Sequence, residues 1–199
     1  MDCPFCIWLV KVGEKELFSF LKKVTLAFEK QDIFGLKEIA NQAIENASLA
    51  NNKRLASLAL IAYCLHKMCS KQHIVRDGRW PEIKHDILFD LKKAAKSLEA
   101  IDLEDFDHWI GGVIGSVKQA DEEIGNYVQN LFEKAKVKQA STAYGMGLSL
   151  GQAAVLTGAD KKDLLRYIGV TRIADRDTVT SGIGKRLRQL KRKIGVKKK

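Results

Sequence analysis

Cys3 and Cys6 have the Cys-x-x-Cys spacing that occurs in redox centres and in zinc sites. A redox pair of this kind follows a strand in a βαβ unit, whereas only two residues precede Cys3 and helical patterns follow it. A zinc site needs two further ligands. Four donors fall on one later predicted helix, with a spacing that matches no zinc knuckle: Cys64, His66, Cys69 and His73. We expect no metal and no cofactor, and Cys3 and Cys6 are the candidates if a metal is bound.

Carboxylates cluster in residues 102–107, next to His108, and again in residues 121–123. No Glu-x-x-His pair at helical spacing accompanies them, so a carboxylate metal site is not favoured. The first cluster fits the start of a helix, where negative charge complements the dipole, and the second fits a solvated face. The chain also lacks the nucleophile motif of serine hydrolases and the His-Glu-x-x-His motif of zinc proteases. We therefore expect that the protein is not an enzyme.

Positive charge is concentrated near the carboxyl end of the chain. The net charge is +10, with 20 basic and 20 acidic side chains in residues 1–159 but 14 basic and 4 acidic ones in residues 160–199. From Lys185 onward there are nine Lys/Arg and no acid. Such asymmetry indicates a polyanionic partner, most commonly nucleic acid. A solubilising lysine tail is the alternative.

Two short helices separated by a tight turn are predicted immediately before the basic tail. Ser149 can cap the first helix, and Ala154 is small enough for a close helix crossing. Gly158 supplies the turn, where a positive φ is accessible at no steric cost only to glycine. Asp160 can cap the second helix, and Gly169 can end it.

This segment, residues 148–168, resembles the helix-turn-helix motif of DNA-binding regulators. The resemblance implies that the second helix enters the major groove of DNA. It implies that the side chains facing the bases are Lys161, Lys162, Leu165 and Arg166. Leu164, with Tyr167 or Ile168, is expected to face the first helix.

Two features of the segment depart from the motif. Thr157 occupies a position where an apolar residue is usual. Asp160 and Asp163 place negative charge on the helix that is expected to approach DNA.

A last helix is predicted at about 182–195, with one apolar seam and an otherwise basic surface. Such a helix can dock through its seam and offer a row of charges to phosphates. Membrane insertion is less favoured, because the seam has no Trp or Phe. The predicted nucleic-acid contacts are Lys161, Lys162, Leu165, Arg166, Arg172, Lys185, Arg186, Arg188, Arg192 and Lys193.

Helical periodicity dominates the whole chain, which predicts an all-α fold. Helices are expected at about 14–30, 33–50, 53–72, from 80 onward, and 103–140. The helix at 53–72 is apolar on most sides and is expected to be the central buried one. The helix at 103–140 is long, and its glycines at 111, 112, 115 and 125 are where we expect it to bend.

The predicted organisation has three parts. Residues 1–140 form an antiparallel helical bundle or helical-hairpin array, and residues 141–147 form a linker. Residues 148–199 form a small helix-turn-helix-like domain with a basic carboxyl-terminal helix and tail. The longest apolar run, Leu55 to Leu65, is about half of a bilayer span, so we expect a cytoplasmic protein without membrane contact.

These patterns together predict a nucleic-acid-binding protein, a DNA-binding regulator or accessory factor that prefers duplex DNA to RNA. The bundle is expected to serve oligomerisation, sensing or partner docking, and a homo-oligomer through the bundle is one form of that role. The alternative is a non-catalytic helical adaptor that binds RNA, a ribosome or an acidic protein. An enzyme acting through buried polar groups of the bundle is the third hypothesis.

Overall fold

The structure, a computed structural model, describes residues 4–124 and 130–171, with the side chains of 13–124 and 130–170. These residues are helical and include no strand, which confirms the predicted all-α class. No helix in this part of the chain is long and apolar enough to span a membrane. The helices are α1 (Pro4–Glu29), α2 (Ile33–Ala50), α3 (Lys53–Cys69), α4 (Gln72–Val75), α5 (Trp80–Glu99), α6 (Leu103–Glu123), α7 (Leu131–Gly145), α8 (Leu150–Thr157) and α9 (Lys161–Thr171).

Two helical hairpins, α2–α3 and α5–α6, make the most extensive helix–helix contacts among the described residues. The connection between α2 and α3 is short because Asn51 adopts the left-handed conformation with φ 50° and Asn52 immediately caps α3. The Asn52 side chain accepts a hydrogen bond from the Leu55 N–H at 3.1 Å. Asp102 caps α6 in the same way, by accepting from two backbone N–H groups of the first turn. α1 packs against α2, α3 and α5 and joins the two hairpins.

α3 is the central helix of the fold, as its apolar composition predicts. It contacts α1, α2, α6, α7 and α8. Side chains on most of its circumference are buried, among them Leu58, Ile61 and Leu65. The buried apolar side chains of α8 and α9, including Leu156 and Leu164, belong to the same continuous core.

The prediction of a single helix at 103–140 is wrong, because the structure has two helices there, α6 and α7. α6 runs without interruption through the glycines at 111, 112 and 115, three of the four expected bending points, and the fourth, Gly125, lies outside the described residues. Asn130, which precedes α7, has a left-handed conformation with φ 71°. The Leu131 N–H donates to the Asp121 carboxylate at 2.7 Å, so α7 starts on the last turn of α6.

Three further boundaries differ from the prediction. α1 starts at Pro4 rather than near residue 14, and the third helix ends at Cys69 and is followed by the single turn of α4. Residues 141–145 of the predicted linker belong to α7. Ser141 and Ala143 are buried there, and burial outweighs the low helix propensity of the local composition. A division into two domains at this point stays a prediction.

Candidate nucleic-acid interface

α8 has the start and the end that the sequence predicts. The Ser149 hydroxyl accepts from the Gln152 backbone N–H at 3.2 Å, and the Gln152 side-chain oxygen Oε1 accepts from the Ser149 backbone N–H at 3.0 Å. These two hydrogen bonds form a capping box, which satisfies two N–H groups that a helix start otherwise leaves without partners. At the other end Gly158 has φ 68°, a left-handed conformation in which a residue with a side chain would be strained.

α9 starts on Asp160, whose carboxylate accepts from the N–H groups of Lys162 at 2.8 Å and Asp163 at 3.0 Å. Both backbone hydrogen bonds lower the pKa of Asp160, and the one from the Asp163 N–H has the larger effect. The carboxylate of Asp163 lies 3.4 Å from the Arg166 guanidinium, and both side chains are exposed. Asp160 and Asp163, the two acids that depart from the motif, therefore lie at the start of α9, where negative charge stabilises a helix.

α7, α8 and α9 pack against one another, with Leu164 and Ile168 of α9 buried in the contact and Tyr167 half-buried. Thr157 is also buried, and its hydroxyl donates to the Ala153 carbonyl oxygen at 3.0 Å. This hydrogen bond within α8 explains how a polar residue occupies a position where an apolar one is usual. The expected end of the helix at Gly169 is wrong, because α9 continues to Thr171.

The face of α9 opposite Leu164 and Ile168 is exposed to solvent. All four predicted base-contacting side chains are exposed: Lys161, Lys162, Leu165 and Arg166. Lys162 and Arg166 lie on this opposite face and Leu165 at its side, whereas Lys161, in the first turn, lies on the same side as Leu164 and Ile168. Leu165 is 60% exposed and Val170 is 79% exposed, so this face carries apolar groups as well as charges. Within the described part of the chain, no carboxylate pairs with the ammonium groups of Lys161 and Lys162.

A second basic surface lies beside α9 and was not predicted from the sequence. It consists of four lysines of α3, α7 and the turn after α3, which we call the lysine cluster: Lys67, Lys71, Lys134 and Lys138. The Lys138 ammonium nitrogen lies 5.9 Å from the centroid of the Tyr167 ring of α9, and the Lys67 nitrogen lies 5.5 Å from that of Tyr63. The cluster is therefore contiguous with α9.

A groove of about 630 Å³ separates α7 from α9 and connects the two basic surfaces. Lys134 lines it from α7, while Arg166 and Tyr167 line it from α9. Two acids also line the groove, and each has a basic partner. Glu133 binds Lys136 at 2.9 Å, and Asp163 binds Arg166.

The remaining predicted nucleic-acid contacts lie outside the described residues. They are Arg172, Lys185, Arg186, Arg188, Arg192 and Lys193. Cys3 also lies outside them, and Cys6 falls in the first turns of α1, so the metal hypothesis for this pair stays a prediction.

Cys64, Cys69 and His66, three of the four later candidate metal ligands, take part in the packing and hydrogen bonding of the fold. Cys64 and Cys69 are buried, and burial raises the pKa of both thiols, that of Cys69 to about 11. The His66 Nδ1 atom lies 2.9 Å from the Ile33 carbonyl oxygen, which can only accept, so Nδ1 carries the proton. The described residues contain no group of three His, Cys, Asp or Glu side chains placed to hold a metal ion.

The acidic cluster at 102–107 is also engaged in structural contacts. Asp102 caps α6, and Asp105 accepts a hydrogen bond from the Ser97 hydroxyl. Asp107 binds the Arg54 guanidinium through two nitrogens, at 2.7 and 2.9 Å. These contacts join α6 to α5 and α3, so the cluster holds the helices together.

No protein-family model, curated protein or solved structure matches the chain. The features that bear on function are a capped helix with an exposed basic surface and a groove that joins it to the lysine cluster.

Proposed function

We propose that the protein binds duplex DNA and that α9 lies in the major groove. The exposed surface of α9 carries this proposal: Lys162 and Arg166 lie opposite the buried Leu164 and Ile168. Leu165 lies beside them, and Lys161 is exposed at the first turn. An α-helix with its side chains is about 10–12 Å across, and the major groove is about 12 Å wide. The local resemblance of residues 148–168 to a helix-turn-helix motif supports the same placement.

Each side chain of this face has a role that its chemistry suits. Arg166 can bind the O6 and N7 acceptors of guanine with two nitrogens, and Leu165 can contact a thymine methyl group. Lys161 and Lys162, at the start of α9, supply point charges for guanine or for phosphates. The ion pair of Arg166 with Asp163 is exposed, and such pairs contribute little, so DNA can replace it at small cost.

The rest of the segment fixes the direction of α9. The capping box of α8, the left-handed Gly158 and the Asp160 cap define the angle between the two helices. α7 packs on both and connects them to the core. A helix fixed in this manner presents its side chains in one orientation, which base recognition requires.

Selection of bound sequences from a random duplex library tests this function. We expect enrichment of a defined sequence by the full-length protein. The same selection with Lys161→Ala, Lys162→Ala and Arg166→Ala in one variant is expected to show no enrichment, while binding to bulk DNA persists. Absence of enrichment by the unmodified protein contradicts sequence recognition. Stronger binding to RNA or to single strands than to duplex DNA favours the adaptor hypothesis instead.

A further inference from the structure

The lysine cluster (Lys67, Lys71, Lys134 and Lys138) brings like charges together across two helices. Lys134 and Lys138 are four residues apart on α7, where side chains are neighbours and like charges repel. Burial lowers the pKa of Lys71, and the Asp121 carboxylate opposes that shift. Repulsion from the ammonium groups of Lys67 and Lys134 lowers it further, so Lys71 lies within electrostatic reach of a lysine of α3 and a lysine of α7.

The acids of the chain do not neutralise this surface by direct contact. Within the described residues, no carboxylate lies within ion-pair distance of the ammonium groups of the cluster. Glu133 and Asp163, the acids of the adjoining groove, are bound to Lys136 and Arg166. Apart from the Asp121 carboxylate, which acts on Lys71 at longer range, the four lysines lack a negative partner among the described residues, and an external anion can relieve their repulsion.

The tyrosines of this surface hold the lysines in position. Lys138 lies over the ring of Tyr167, and Lys67 lies over the ring of Tyr63. Each ring therefore has one face covered by an ammonium group, which favours lysine placement over the stacking of nucleic-acid bases. An ammonium group placed in this way suits phosphate oxygens, for which lysine is a point-charge partner.

We propose that the lysine cluster binds the phosphate backbone of the same duplex whose major groove receives α9. This inference rests on the proposed function. Arg166 and Tyr167 line the groove from α9 and Lys134 lines it from α7, so a duplex on α9 has its backbone beside the cluster. The contacts to phosphate carry no sequence information, and they position the protein on DNA. The helical bundle, through α3 and α7, is then part of the DNA-binding surface.

The test compares two variants of the full-length protein with the same change in charge. The first replaces the cluster: Lys67→Gln, Lys71→Gln, Lys134→Gln and Lys138→Gln. The matched control replaces four exposed lysines elsewhere: Lys15→Gln, Lys30→Gln, Lys53→Gln and Lys96→Gln. Duplex affinity is measured against salt concentration for both variants and for the unmodified protein. Circular dichroism melts establish that each variant is folded.

Each phosphate contact contributes about 0.9 to the log–log salt slope. We expect the cluster variant to have a slope shallower by about 3.6 units, with an unchanged ratio of specific to non-specific affinity, and the control variant to keep the original slope. If the cluster variant does not fold, the two double variants (Lys67→Gln with Lys71→Gln, and Lys134→Gln with Lys138→Gln) are each expected to lose about half of that amount.

An unchanged slope in the folded cluster variant overturns the inference, even where the α9 variants lose specificity and the proposed function stands. Loss of single-strand binding with an unchanged duplex slope overturns it as well. Absence of salt-dependent duplex binding by the unmodified protein overturns the proposed function and the inference together.

Discussion

The carboxylate of Asp121, near the end of α6, accepts a hydrogen bond from the backbone N–H of Leu131 at the start of α7, at 2.7 Å and in a buried position. This contact determines where α7 begins, and α7 in turn packs on α8 and α9. The position of the proposed DNA-binding helix therefore depends on a side chain of the bundle.

Asp121→Ala is expected to destabilise the protein by about 2 kcal/mol, because it leaves the buried Leu131 N–H without its acceptor. Urea unfolding at neutral pH measures the change. Glu122→Ala removes the neighbouring exposed carboxylate and is expected to change the stability by less than about 0.5 kcal/mol. Equal effects of the two substitutions would show that the hydrogen bond does not hold α7.

Gly158→Ala is expected to cost about 1 kcal/mol, since the turn requires φ 68° and a Cβ disfavours the left-handed conformation. Gly151→Ala in α8 is the matched control. A Cβ there meets no atom within 4 Å, and alanine is the better helix former. We expect this variant to be as stable as the parent or slightly more so. A stable Gly158→Ala protein contradicts the turn geometry.

The cap of α9 predicts a dependence of stability on pH. The pKa of Asp160 is lowered in the folded protein from 3.8, so its contribution is present above the unfolded pKa and is lost as the pH falls through the folded pKa. The stability difference between the parent and Asp160→Asn is therefore expected to be larger at pH 7 than at pH 2. Urea midpoints of both proteins at the two pH values measure it. A difference that is independent of pH would refute the charged cap.

Cys64 and Cys69 are expected to be unreactive in the folded protein, because both are buried and burial raises the pKa of both thiols. In a Cys3→Ser, Cys6→Ser background, a thiol reagent at pH 8 is expected to label these cysteines only after unfolding.

The Cys3→Ser, Cys6→Ser variant is expected to have a melting temperature within a few degrees of that of the parent. Stoichiometric zinc in the parent, with unfolding on chelation, contradicts this.

The local features of the α8–α9 segment could be predicted from the sequence because each depends on residues close in the chain. Ser149 and Gln152 are three residues apart, and the Asp160 side chain accepts from the N–H groups of Lys162 and Asp163, two and three residues later. The central position of α3 could be predicted for a similar reason, since its own composition is apolar on most sides.

The features that depend on distant residues were missed. Apolar spacing alone continues across the break between α6 and α7, and the Asp121 contact that starts α7 joins residues ten positions apart. The lysine cluster was hidden because residues 1–159 hold equal numbers of acids and bases. Only the fold brings Lys71 within electrostatic reach of Lys134, and the alternating lysines of α7 are the only local signal.

The ratio of specific to non-specific duplex affinity tests most directly whether α9 reads bases. We expect the Lys161→Ala, Lys162→Ala, Arg166→Ala variant to lose at least about tenfold in this ratio at constant salt, since one good base contact contributes about 1–3 kcal/mol of discrimination. A control with Lys15→Ala, Lys30→Ala and Lys96→Ala is expected to keep it. An unchanged ratio in the α9 variant, with both proteins folded, would contradict the account.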